Sequence, residues 1–170
     1  MIITGNRVLD ALDFLKERVK ALDTQLKGSL FRFEDEEEKR DPREILREMT
    51  QTHEKISKLQ EVQAEYNLRV EVEVLGERLS LQRVLHLIGF ANRVKSFWLQ
   101  AASSDEQPNY MMHVLRQRTK EAEYAKKVIS EAQAQELADD ASRRALAFKQ
   151  AIRSGNAREL EMDVAEELFS

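Results

Sequence analysis

Apolar positions recur along most of this chain in steps of three and four, the spacing that lines side chains up on one side of an α-helix. The clearest run is Asp41 to Asn67, DPREILREMTQTHEKISKLQEVQAEYN. Asp41 suits a helix cap, Pro42 suits the first helical position, and Glu44 stands where a capping box needs its carboxylate. Ile45, Met49, Thr52, Ile56, Leu59, Gln63 and Tyr66 then fall on one seam. About 26 residues at ~1.5 Å each make a helix of about 39 Å. Its other faces are polar, so such a helix needs a partner helix to cover the seam.

Three more helices follow from the same periodicity. The first spans about 4–27, where Val8, Leu12, Leu15, Val19, Leu22 and Leu26 form a heptad seam. Leu9, Ala11 and Phe14 widen its stripe beyond one neighbour, and Gly28 stands where a C-terminal cap belongs. A helix over about 80–102 begins at Ser80, with Val84, Leu85, Ile88, Ala91, Val94 and Trp98 on its apolar side and Leu81, Leu87 and Phe97 extending it. It is the most hydrophobic of the set. The last, about 130–154, starts after Ser130 and stops at Gly155-Asn156. Its seam is Ala134, Ala138, Ala141, Ala145, Phe148 and Ile152, and small seam residues let two helix backbones approach closely.

The period changes after Asn67. Leu68, Val70, Val72 and Val74 alternate with charged residues, which predicts a strand over 68–74 ended by the turn Leu75-Gly76-Glu77. A lone strand needs a pairing partner. A second short strand near 29–34, around Leu30–Phe33, is one choice, and a region further along the chain is another. Residues 110–129 have helix-forming composition, yet Met111–Leu115 and Tyr124–Ile129 suit strands, so mixed structure is expected there. The tail, 157–170, carries Leu160, Met162, Val164, Leu168 and Phe169. It reads either as a strand with a terminal helical turn or as an arm for another subunit. The expected fold is mainly α, with long antiparallel coiled-coil-like helices and a small β element, in one domain over 1–170.

Composition agrees with that architecture. Charged residues are 34% of the chain and aromatics 6%, with 5 Gly and 2 Pro, as in regular exposed helices with few turns. A net charge of −4 argues against general nucleic-acid binding. With no cysteine there are no disulfides, thiol nucleophiles or thiolate zinc sites. The N-terminal MIITGNRVLDALDFLKERVK is interrupted by charges, unlike a signal peptide, and no window reaches the ~18 apolar residues of a membrane span. A soluble, cytoplasmic protein without membrane attachment is expected.

The stretches VLDALDFLKERVKALDTQL, FRFEDEEEKRDP, the helix ending in AEYN, GERLSLQRVL, and the final helix ending at Asn156 occur in an order that resembles the septicolysin-like family of small uncharacterised bacterial proteins. In that family the acidic segment is a loop between a short strand and a proline-started helix, and an asparagine closes the second helix, where Asn67 stands here. The resemblance implies an α-helical, coiled-coil-like fold with small β elements and no established activity. The family label implies a haemolysin, but this sequence has no membrane-inserting segment to serve one.

Catalytic constellations are sparse. Glu136 and Asp139 place two carboxylates three residues apart on one helical face, half of the pattern by which all-α nucleotide phosphohydrolases hold magnesium between helices. The matching Glu-x-x-Glu occurs only as Glu34 and Glu37, in an acidic run that reads as a solvated loop. His53, His86 and His113 fall on separate elements, none preceded by Glu at three residues, and neither HExxH nor a Gly-rich phosphate loop occurs. No catalytic, cofactor or metal residue is therefore assigned, Glu136 and Asp139 being the carboxylates to test. The leading expectation is a non-catalytic structural or interaction protein that self-associates, as a dimer or larger, or binds an unidentified protein partner. Its packing or interface residues would be Leu12, Leu15, Val19, Leu22, Ile45, Ile56 and Leu59. The alternative is a metal-dependent nucleotide phosphohydrolase.

Overall fold

The computed structural model describes residues 1–31, 40–103 and 128–169. In chain order the elements are β1 (Ile2–Thr4), α1 (Gly5–Ser29), α2 (Pro42–Arg69), β2 (Glu71–Val74), β3 (Glu77–Ser80), α3 (Leu81–Ser103), α4 (Glu131–Asn156), β4 (Glu159–Glu161) and a 3-10 turn, Glu166–Phe169. The protein is mainly α with two small antiparallel ribbons, β1–β4 and β2–β3.

Each helix starts where a side chain can satisfy its free N–H groups. The Thr4 hydroxyl accepts from Arg7 N–H, and the Asp41 carboxylate accepts from Arg43 N–H. Ser80, the last residue of β3, also caps α3 by accepting from Arg83 N–H. Ser130 and Gln133 form a reciprocal capping box at α4. Gly28 is not a cap: α1 continues to Ser29 and is capped by Leu30 in a right-handed helical conformation.

The helices pair in two hairpins. α1 packs along α2, and α3 packs along α4 more extensively than any other two elements. In the first pair Arg18 meets Glu48, Asp13 shares a groove with Gln60, and Gly28 lies beside Ile45, so the two run antiparallel. Arg18 and Arg40 grip the two Glu48 carboxylate oxygens at 2.8 and 2.6 Å, and these hydrogen bonds, Arg18's the larger, hold the Glu48 carboxyl below its ordinary range. The buried line of α4 runs through Ala134, Ala138 and Ala141 and continues toward the base with Phe148, Ala151 and Gly155.

Three local expectations need correction. Residues 68 and 69 continue α2, because Val70 N–H still bonds to Tyr66 O at 2.9 Å, so the strand expected over 68–74 forms only over Glu71–Val74. Its partner is the very next segment. Leu75 and Gly76 both take positive φ, 54° and 80°, as the two-residue hairpin turn of the I′ type requires, and Val74 then faces Glu77. The strand expected near 29–34 is absent from its described part, since Ser29 is helical and Leu30 caps it; residues 32–39 lie outside the described residues. So do 104–127, with most of the 110–129 stretch. The tail is a strand with a terminal helical turn, and β4 pairs with β1, which sequence periodicity did not reveal.

The two hairpins join at their bases. Tyr66, near the end of α2, is fully buried there, with its hydroxyl 2.8 Å from Gly155 O and 2.7 Å from Arg158 O. Leu81 N–H bonds to Val70 O at 2.8 Å, the Arg158 guanidinium donates to Glu71 O, and Met162 N–H bonds to Met1 O at 2.9 Å. Around these bonds Ile3, Val8, Leu12, Leu59, Val72, Leu81, Val84 and Phe148 form a continuous apolar core. Burying each large aliphatic side chain contributes ~1.5–3 kcal/mol. Gly5 sits in the tightest spot: a Cβ there would lie 2.7 Å from Asn156 Oδ1 and 2.8 Å from Tyr66 Cε1.

Replacing Tyr66 with Phe removes the hydroxyl donor to Arg158 O and one of the donors to Gly155 O, which keeps Arg158 N–H at 3.1 Å, and should cost ~1–3 kcal/mol in denaturant unfolding at neutral pH. Burial raises the Tyr66 phenol above its ordinary 10.0. A raised folded value means stability is complete below about 10 and is lost as pH rises through that higher value. The Phe variant should accordingly show a flatter alkaline limb of stability, and identical limbs would remove Tyr66 from this role. Two glycine substitutions should move in opposite directions. Gly5→Ala should destabilise by ~1–3 kcal/mol through overpacking. Gly89→Ala meets nothing within 4 Å and should stabilise by ~0.5–1 kcal/mol through helix propensity.

Candidate interaction surface

The alanine seam determines what α3 leaves outside. Because α4 lies against α3 through small side chains, the contact is close and takes up one side of α3: Leu81, Val84 and Ala91 are buried there. α3 is apolar on more than that side. Leu87, Phe90, Val94, Phe97 and Ala101 step by three and four along a second seam, rotated away from the first. Leu87 reaches the edge of the core, but Phe90 is 59% exposed and Phe97 61%. They stand two helical turns apart, ~10.5 Å along the axis. Phe97 packs edge-on to Trp98, with ring centroids 4.9 Å apart. Leu85 and Leu99, 38% and 39% exposed, lie on the opposite flank of the same helix.

A single exposed aliphatic residue is ordinary on a protein surface; two phenylalanines on one heptad-spaced line are not. The sequence puts Leu85 and Val94 on the apolar side of this helix, with Phe97 extending it. In the structure Leu85 and Phe97 are exposed on different flanks, while Val94 is half-buried. Phe90 lies off that apolar side, and the signal that finds it is the second seam of three-and-four steps.

The sequence-proposed packing residues lie inside the chain. Leu12, Leu15, Leu22, Ile45, Ile56 and Leu59 are buried and Val19 is half-buried. They are filled by α1 and α2 of the same molecule. A groove of ≈ 860 Å³ runs above Val19 and Ile56, edged by Asp13, Lys16, Glu17, Lys20, His53 and Gln60. Its charges are spent along their own helix: Lys16 pairs with Asp13 at 3.6 Å and Lys20 with Glu17 at 2.6 Å. That furrow offers no convergent set of reactive groups.

Glu136 and Asp139 are both exposed on α4. Asp139 accepts from Gln135 Nε2 at 2.9 Å, and the neighbouring Asp140 is paired with Arg144 at 3.0 Å and Arg143 at 3.6 Å. Among the described residues no three His, Asp or Glu side chains converge as a metal site would require. His53 lies on the α1–α2 hairpin, while His86 on α3 has its Nε2 3.1 Å from Gln82 Nε2; Glu34, Glu37 and His113 lie outside the described residues. No described helix is long and apolar enough to cross a membrane.

No family model and no curated protein matches the chain. Among solved structures it is similar to a functionally unknown conserved protein from Corynebacterium diphtheriae, with a TM-score of 0.69 at 15% identity over 95% of this chain and 100% of that one. At that identity the two proteins share a fold.

Proposed function

We propose that this chain is a non-catalytic interaction protein that works by presenting helical surface, chiefly the outer side of α3, to another macromolecule. The observation that carries the proposal is the heptad-spaced pair Phe90 and Phe97, exposed on a helix whose other side is already satisfied by α4. Keeping large aromatic surface in water is unfavourable by ~25 cal/mol per Å², so a partner that covers it gains affinity. Self-association of the kind expected from the sequence would now use this face. The seams of α1 and α2 are already occupied within the chain. The septicolysin-like resemblance is compatible with an interaction role and contributes no activity to it.

The mass of the purified protein by light scattering behind size exclusion distinguishes a second copy from a different partner. A defined multiple of 19.8 kDa makes the partner another copy of this chain, and a monomer makes it heterologous. The paired variant Phe90→Gln, Phe97→Gln should keep its melting temperature within ~2 °C of the parent, as exposed substitutions do. A fall of ~10 °C or more would mean that the stripe is covered by the chain's own fold, and the proposal would be lost.

The carboxylate pair on α4 gives a complementary test. Magnesium or manganese should leave the melting temperature unchanged, and Glu136→Gln with Asp139→Asn should alter stability by less than ~0.5 kcal/mol. Stabilisation by either ion that disappears in that double variant would overturn the non-catalytic reading, because only an ion bound to the folded state raises stability.

A further inference from the structure

The exposed stripe of α3 has a chemical sign. On its open side the positions bordering Phe90 and Phe97 are His86, Arg93 and Gln100, and Arg83 continues the stripe toward the start of the helix. α3, LQRVLHLIGFANRVKSFWLQAAS, contains no aspartate or glutamate. Among the described residues neither Arg83 nor Arg93 has an ion-pair partner, although Arg7, Arg18, Arg40, Arg69, Arg78, Arg143, Arg144 and others are paired. An apolar line at helical spacing, bordered by unpaired cations and free of carboxylates, is one half of a complementary helix pair.

From this we infer that the outer face of α3 docks an acidic amphipathic helix of another protein, with leucine-like side chains along one stripe and carboxylates beside them. The inference rests on the interaction reading above and names the occupant of its surface. Partner side chains at three-and-four spacing would pack around Phe90, Val94 and Phe97. Its flanking carboxylates would meet Arg83 and Arg93, where opposite charges select the partner and its register. A second copy of α3 fits poorly, because an antiparallel pair would set arginines against arginines with no acid between them. An anionic bilayer also fits less well. The chain carries a net charge of −4, and the same hairpin exposes Glu136 and Asp139. A flat membrane would also make no use of heptad register.

The probe is a fluorescein-labelled peptide of about three heptads, with leucine at the core positions and glutamate at every flanking position, whose own charges prevent it from pairing with itself. Anisotropy titration of the full chain should show saturable binding that weakens as salt is added. The peptide with lysine in place of glutamate should bind at least ~tenfold more weakly. Phe90→Gln with Phe97→Gln should abolish binding. Arg83→Glu with Arg93→Glu should reverse the preference, losing the acidic peptide and gaining the basic one, a readout that unfolding cannot imitate. Absence of saturable binding, or equal binding of the two peptides, overturns the inference. So does binding to phosphatidylglycerol vesicles that is lost in the same variants while the acidic peptide fails to bind. A homodimer dissolved by the Phe90/Phe97 variant would overturn the acidic-helix occupant but leave the interaction function standing. Collapse of thermal stability in that variant would remove both.

Discussion

The fold depends on the buried phenol of Tyr66. Two helices packed in a hairpin bury one seam each, and a pair of that kind is marginal by itself because ordering each residue costs ~1–2 kcal/mol of backbone entropy. Here two such hairpins become one structure because Tyr66, carried by α2, reaches Gly155 O at the end of α4 and Arg158 O just beyond it. The hydroxyl thus bonds to one carbonyl in the last turn of α4, which also accepts from Arg158 N–H at 3.1 Å, and to one carbonyl just beyond the helix. Gly5 makes the approach possible from the other side, since a side chain there would collide with both the Tyr66 ring and Asn156. One hydroxyl and one missing Cβ therefore set how α1, α2 and α4 meet.

Much of this was legible in the sequence where it depended on periodicity. The alternation of three and four predicted the four helices of the described residues, and Pro42, Ser80 and Ser130 marked three of their starts. Elements that depend on pairing between distant segments were not legible. β1 is three residues long, and Ile2–Thr4 becomes a strand only because Glu159–Glu161 lies beside it. The β2–β3 turn was obscured for a different reason. Leu75 is a poor residue for positive φ, so Leu-Gly does not announce a two-residue hairpin as Asn-Gly would. The junction itself was half visible: Tyr66 appeared as a seam residue, but nothing in the spacing shows that its hydroxyl would find partners ~90 residues away.

The candidate surface follows a similar division. Apolar periodicity identified α3 as the most hydrophobic helix of the set. Among the described residues α3 has one extensive neighbour, α4, with smaller contacts to α2 and β3. The alanines of α4 explain why its apolar surface is not all covered. Small residues bring two backbones close but cover a narrow strip of the facing helix, whereas leucines in those positions would have reached further around it. The apolar content of α3 thus exceeds what the alanine seam can bury, and the excess is Phe90 and Phe97 on one flank with Leu85 and Leu99 on the other.

Stability and recognition are consequently placed on different parts of the molecule. The core cluster draws on α1, α2, α3, α4 and the ribbons at the base, and it includes Ala91 of α3 but none of the buried alanines Ala134, Ala138 and Ala141. Among the described residues, the part of the α3–α4 hairpin beyond this cluster is held chiefly by the contact between the two helices, to which α4 contributes the small side chains of Ala134, Ala138 and Ala141. Such a segment adds little to global stability, so its outer face can carry exposed aromatics and unpaired arginines without endangering the junction at Tyr66. The same separation means that covering the face with a helix would stiffen the far end of the α3–α4 hairpin. The base would need no rearrangement.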